Sequence, residues 1–249
     1  MPRCDLDEAV ARLRAAAVNG SAIASEPAGK ALLRAVGVAT PAGRVVKTPD
    51  EAVVVAADLG GPVALKIVAP GVAHKSDVGG VAGPLQSSET IRHAAHDLLA
   101  RLGGELLVEA WHGDGVQCFV GLSLGGPLGA VLSFGLGGIW VEVLRDVAHR
   151  SAPVTAAEAG EALSHLRGAA LLQGGRGRMA VDLDALAETL AGLSRLALEP
   201  QLHELVREIE VNPLLARPSG PPLALDCAVV LEDGADVSTE SVLVAGAIT

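Results

Sequence analysis

Apolar residues recur at helical spacing in the first part of the chain and in short strand-like runs in the rest. Over Asp5–Val18 the apolar positions are Leu6, Val10, Leu13 and Ala17, and Asn19-Gly20 closes the run. Ser25, with Pro27 just inside, is the N-cap of a second helix that ends near Gly37. Arg44–Lys47 reads as a short strand, and Thr48-Pro49-Asp50-Glu51 opens a third helix through about Leu59. Pro62–Val68 is an apolar run bounded by Gly60-Gly61 and Pro70-Gly71, which predicts a buried strand carrying Lys66. A polar, glycine-rich loop follows through Gly83, then a helix from about Ser88 to Leu102.

From Glu105 the texture changes. Leu106–Ala110, Gln117–Leu122 and Gly129–Phe134 read as strands separated by glycine-rich turns. Thr155–Arg167 and Asp182–Leu198 read as helices, the first opened by a capping box at Thr155 and Glu158. Leu205–Val211 and Pro222–Val230 read as two further strands around a loop at Asn212–Gly220. The expected class is α/β (α+β) in two lobes. Residues 1–105 form the smaller α/β lobe and residues 106–249 the larger, strand-rich one.

Half of the residues are hydrophobic, yet there are only two Phe, two Trp and no Tyr, so Val, Leu, Ile and Ala must build the core. That scarcity removes the aromatic platforms on which single-stranded nucleic acid stacks. A formal charge of −10 repels a phosphate backbone as well, so nucleic acid is not an expected partner, whereas a local basic pocket for a nucleotide is compatible. Cys4, Cys118 and Cys227 lack metal-ligand spacing and read as structural thiols in a reducing compartment. The N-terminal segment lacks the apolar stretch of a secretory signal. No apolar run reaches the roughly 18 residues that span a bilayer, so a soluble, cytoplasmic protein is expected.

Three segments carry candidate chemistry. The first is Leu65-Lys66-Ile67, followed by His74-Lys75-Ser76-Asp77-Val78-Gly79-Gly80-Val81. A lysine inside an apolar strand is costly to bury unless its ammonium meets an anion. A phosphate oxygen meets that need; a strand-end lysine reaching solvent is the plain alternative. Gly79 and Gly80 either let backbone amides approach phosphates or simply build a turn. His74 is either a solvated loop residue or a nucleophile, since imidazole forms a phosphoramidate that a loop can carry between sites. The other six histidines show no HxH or HExxH pattern, which argues against zinc.

The second segment, Phe134–Ile139, superficially looks like a dinucleotide fingerprint. It lacks the full glycine spacing and the acidic residue that should follow a second strand. Glu142–Arg150 then mixes charges, as the rim of a site or a solvated face would. The third segment is Glu208-Ile209-Glu210-Val211-Asn212-Pro213, with Asp226 fourteen residues after Asn212. On a strand Glu208, Glu210 and Asn212 share one face. Mg²⁺ takes one or two hard oxygen ligands from protein plus phosphates and waters. Asn212 and Asp226, at the ends of neighbouring antiparallel strands, suit that role, or else form a polar face near a turn.

Taken together, the chain resembles the ATP-grasp domain of ADP-forming acetyl-CoA and acyl-CoA synthetases, relatives of the succinyl-CoA synthetase β subunit. The resemblance rests on ALLRAVGV (31–38), VALKIVAPGVAHKSDVGGV (63–81), FGLGGIWVEVLRDVAHRSAPVT (134–155), LLQGGRGR (171–178), and EVNPLL with LALDCAVVL (210–215, 223–231). It implies an ATP-grasp fold with ATP or ADP between two lobes. It further implies that Lys66, with the loop of Gly79 and Gly80, contacts the phosphates, and that Glu109 lies at the adenine hinge. Asn212 and Asp226 match the Mg²⁺ pair, His74 the family's second phosphohistidine, and Arg176 a residue facing phosphate. The implied reaction is acyl-CoA + ADP + phosphate ⇌ free acid + CoA + ATP. The implied partner is a CoA-binding α subunit carrying the first phosphohistidine, in a hetero-oligomer such as α2β2.

The chain departs from the family pattern twice. Gln117 stands where Glu is common, and Leu124-Gly125-Gly126-Pro127 stands where an Asp-Pro turn is common. Those lost carboxylates bear on nucleotide or metal binding. Two other functions therefore stay open: an ATP-grasp carboxylate ligase without phosphohistidine, and a non-catalytic nucleotide-sensing module.

Overall fold

A computed structural model of the chain describes residues 3–18, 20–69, 75–138, 145–175 and 179–232. It divides into two compact units, one formed by Pro41–Gly113 and the other by Met1–Thr40 together with Asp114–Thr249. The expected division between residues 105 and 106 needs correcting at both ends, because residues up to Thr40 belong to the larger unit and the smaller one continues through Gly113. The N-terminal helices α1 (Arg3–Val18) and α2 (Glu26–Ala35) bury Leu6, Leu13, Leu32 and Leu33 in the larger unit's core. Strand β1 (Ile23–Ala24), which lies between them, runs antiparallel to a strand near the other end of the described chain, with Ile23 opposite Val230. Pairing over that distance leaves no local mark in the sequence.

The smaller unit is a four-stranded antiparallel sheet in the order β2 (Gly43–Val46), β5 (Glu105–Ala110), β3 (Val63–Val68), β4 (Val81–Leu85). Helices α3 (Pro49–Leu59) and α4 (Ser88–Leu102) pack Val55, Ile91 and Leu98 against Val63, Leu65, Ile67, Leu106 and Val108. The capping signals act as the sequence indicates. Thr48 accepts the Glu51 amide while the Glu51 carboxylate accepts the Lys47 and Thr48 amides, and those bonds hold the Glu51 carboxyl below its ordinary range. Strand β4 occupies what reads in sequence as loop. Its Gly83-Pro84 is tolerated because β4 is an edge strand, where a missing N–H leaves no partner strand unpaired.

Among the described residues the larger unit is built on a seven-stranded sheet. Its main path runs β1, β11 (Ala228–Leu231), β9 (Val206–Ala216), β6 (Val116–Ser123), β7 (Val131–Leu136), β8 (Val147–Ser151), and β10 (Leu223–Ala224) also pairs with β9. Alternation gives this sheet two unlike faces. Val120, Leu122, Leu132, Phe134, Ile209, Val211 and Val229 join one apolar core, which also takes Leu163 from helix α5 (Ala156–Ser164) and Leu186 and Leu190 from a longer helix, Leu183–Ser194. The opposite face carries Ser133, Gly121 and Glu210 in one row and Ser123 and Glu208 in the next, set by their pairing across β7, β6 and β9. Asn212 continues the same face of β9.

Cys118 and Cys227 are buried and not in a disulfide, and burial pushes the Cys118 thiol up to about 12, as for a structural thiol. Among the described residues no helix is long and apolar enough to cross a membrane.

Phe134, 1% exposed in the larger core, is the position at which truncation should be felt. Phe134→Ala is expected to lower unfolding free energy by about 4 kcal/mol in denaturant titration. Val54→Ala, at a position 58% exposed, is expected to change it by less than about 0.5 kcal/mol.

Candidate functional site

In the smaller unit, Lys66 lies in the middle of the apolar β3, where the register pairs it with Leu107, while Glu109 pairs with Ala64. Lys66 and Glu109 are therefore diagonal neighbours on one face of the sheet, within reach of long side chains. They form an ion pair, Lys66 Nζ to Glu109 Oε2 at 3.0 Å, with side chains 9% and 4% exposed. The anion that a buried lysine requires is thus present in the chain itself. The sequence separated these two residues into a phosphate contact and an adenine hinge; the fold brings them together.

The turn Lys75–Gly80 is fastened to the same sheet. Ile67 donates its amide to the Gly80 carbonyl at 2.8 Å, and a side chain at Gly80 would meet Ile67 and Lys75, so glycine is required for this approach. Gly79 adopts the left-handed region at φ 62. Both amides are engaged inside the turn, Gly79 with the Ser76 carbonyl and Gly80 with the Lys75 carbonyl. Turn geometry therefore accounts for both glycines, and neither amide points to an outside phosphate in this conformation. Arg101, which the sequence reading missed, donates to the Gly79 carbonyl at 2.9 Å and pairs with Asp97 one helical turn earlier. Lys75 is also buried.

In the larger unit the candidate cation ligands sit on a hairpin that keeps one register from the Leu223–Leu215 pair to the Val230–Glu208 pair. Leu223 and Ala224 of β10 pair with Leu215 and Leu214, and Ala228 of β11 pairs with Glu210. The same offset carries through the interruption between β10 and β11, where the Leu225 amide donates to the Pro213 carbonyl at 3.0 Å. It sets Asp226 opposite Asn212. Both residues are half-buried, and the Asp226 carboxylate accepts its neighbour's amide, Cys227 N–H, at 2.8 Å. An amide oxygen and a carboxylate at opposed positions of the hairpin are a hard, two-ligand set. That is what Mg²⁺ takes from protein when phosphates and water complete its shell, so the residues fit the ion. Asn212 also donates weakly to Glu210 at 3.4 Å. Next along the row, the Glu208 carboxyl is pushed above its ordinary range, first by burial and then by the charge of Glu210.

His74 and Arg176 lie outside the described residues, as do residues 139–144, which include the start of the charged segment after the glycines. Of that segment, Asp146 is 8% exposed. Its carboxylate accepts the Arg167 and Gly168 amides at 3.0 and 2.7 Å, so it braces a turn and is not part of an exposed rim. Gly135 is explained by its close approach to the Asp146 carbonyl, which a Cβ would obstruct, and not by a dinucleotide. A cavity of about 350 Å³ bounded by Val36, Val38, Glu188 and Thr189 holds none of the candidate residues.

Comparison with known proteins is consistent across sequence and structure. The profile of the ATP-grasp domain matches residues 15–231. The β subunit of acetate–CoA ligase [ADP-forming] I from Pyrococcus furiosus is 34% identical over 83% of this chain and 90% of that subunit. Acetate–CoA ligase [ADP-forming] I of Archaeoglobus fulgidus is 33% identical over 87% of this chain, which spans only 33% of that longer protein. A solved structure of the dinucleotide-forming acetyl-coenzyme A synthetase 1 of Ca. Korarchaeum cryptofilum superposes with a TM-score of 0.79 at 32% identity, covering 90% of this chain and 100% of that one. That protein holds coenzyme A and Mg-AMPPCP, with its phosphohistidine segment pointing towards the nucleotide-binding site.

Two outcomes follow from the geometry. Lys66→Met leaves Glu109 buried beside an apolar tip and is expected to cost about 3 kcal/mol in denaturant titration, most of it recovered in Lys66→Met/Glu109→Leu. Glu208 has a raised folded-state pKa, so its stabilising share is complete below the ordinary carboxylate range and lost as pH rises through the folded value. Without divalent cations, Glu208→Gln should match wild type in melting temperature at about pH 4 and exceed it at about pH 7.

Proposed function

The chain belongs to the ATP-grasp domain family, and from that membership we propose that it is the nucleotide-binding subunit of an ADP-forming acyl-CoA synthetase, an acid–CoA ligase. The observation that carries this reading is near end-to-end similarity to a stand-alone β subunit, together with the in-register Asn212 and Asp226. ATP and ADP are its nucleotides. It works with a partner subunit, for which a CoA-binding α subunit bearing the first phosphohistidine is the fitting chemistry.

The residues take these roles. The Lys66 ammonium, paired with Glu109, contacts a phosphate oxygen. Asn212 and Asp226 hold Mg²⁺, whose charge neutralises the β- and γ-phosphate oxygens and orients them. His74 is the phosphate carrier and Arg176 a further phosphate contact. In the ATP-forming direction the P–N bond to His74 breaks while a β-phosphate oxygen of ADP forms the new P–O bond, and the imidazole regains a proton from water. Positioning and charge neutralisation are all that such a transfer asks of the protein. The choice of acid belongs to the partner.

Incubation with γ-labelled ATP and Mg²⁺ tests the proposal. Wild type is expected to take up an acid-labile label that His74→Ala lacks entirely. Nucleotide binding with no label on wild type, even with a competent CoA-binding partner, would contradict it.

A further inference from the structure

Strand β9 contains a proline at a position where the sheet needs a donor. Residues 213 and 225 face each other in the hairpin register, and in an antiparallel ladder such a pair exchanges two N–H···O=C bonds. One is present, from the Leu225 amide to the Pro213 carbonyl at 3.0 Å. Its reciprocal cannot form, because proline has no N–H. The Leu225 carbonyl instead accepts from Lys30 Nζ at 2.8 Å. Lys30 projects from α2, is 1% exposed, and is paired with Glu26 one helical turn earlier at 2.7 Å. The next residue after Leu225 is Asp226.

We propose that Lys30 is a positioning residue for the cation site: its ammonium replaces the ladder donor lost at Pro213 and fixes the backbone that presents Asp226 to Asn212. This rests on the reading of Asn212 and Asp226 as the cation pair. A buried ion pair is a costly way to supply one hydrogen bond, because both charges must leave water. An uncharged alternative would satisfy the core equally well in stability. What the ammonium supplies is a charge-assisted bond from a rigid helix to one carbonyl, and hence a fixed direction for the neighbouring carboxylate. Glu26 neutralises the ammonium and restricts where it can point.

The test uses the full chain with ADP and Mn²⁺, whose free and bound forms are counted by electron paramagnetic resonance. Lys30→Met/Glu26→Gln removes both charges at similar volume. It is expected to fold, to bind ADP without cation as wild type does, and to bind Mn²⁺ about tenfold more weakly. Amide exchange in the peptide covering 223–230 should quicken. Leu163→Ala, which destabilises the same core from α5, should change neither cation affinity nor that exchange beyond its global effect. Should the double variant not fold, Lys30→Gln/Glu26→Gln, which retains a donor, is expected to give an intermediate affinity. Wild-type Mn²⁺ affinity in either folded variant overturns the positioning role. Asp226→Asn in the wild-type background is the separate control. If it leaves Mn²⁺ affinity unchanged, the cation pair itself is wrong and the proposal falls with it, whatever Lys30 does.

Discussion

A lysine taken out of water must meet an anion inside the protein, and much of this structure is arranged around that constraint. In the smaller unit the pair is Lys66 with Glu109, and in the larger unit Lys30 with Glu26. In both, the partner comes from the chain itself. Lys30 also donates to the Leu225 carbonyl. Lys66 holds its charge on the sheet face that carries Glu109, where a phosphate would compete for, or share, the same ammonium. The pairs cost desolvation and contribute direction.

The larger sheet shows how one strand serves both ends. Ile209 and Val211 anchor β9 in the core while Glu208, Glu210 and Asn212 alternate with them on the polar face. Burial of the apolar set fixes the register, because a slip of one residue would exchange the faces. Glu208 is thereby part-buried and set beside Glu210, and burial first and the neighbouring charge second raise its carboxyl above the ordinary range. A divalent cation nearby would relieve that repulsion, so the same geometry that penalises the unliganded face favours the liganded one.

Much of this was legible in the sequence, for physical reasons. Thr48 with Glu51 and Thr155 with Glu158 are local signals, and both capping boxes form. The strand carrying Lys66 and the placing of Asn212 and Asp226 on neighbouring antiparallel segments follow from apolar runs, although β9 runs on through Asn212 to Ala216 where the sequence reads as loop. What escaped is non-local or sits at edges. β4 contains Gly and Pro, and β8 contains His and Arg, because edge strands need not satisfy a second neighbour. The N-terminal helices belong to the larger unit through the pairing of Ile23 with Val230, which local pattern does not encode. Glu26 and Lys30 have the spacing of an ordinary exposed helix pair, and their burial is a tertiary fact. Gly79 and Gly80 look like a phosphate loop in sequence, whereas their amides close a turn.

We propose that adenine nucleotide binds through a cation held by Asn212 and Asp226. Calorimetric titration of the full chain with ADP, with and without Mg²⁺, addresses it most directly when repeated on Asn212→Ala/Asp226→Asn. The account predicts that Mg²⁺ tightens ADP binding to wild type by about tenfold or more and has no such effect on the double variant. Equal Mg²⁺ enhancement in both proteins, or no ADP binding by wild type, would contradict it.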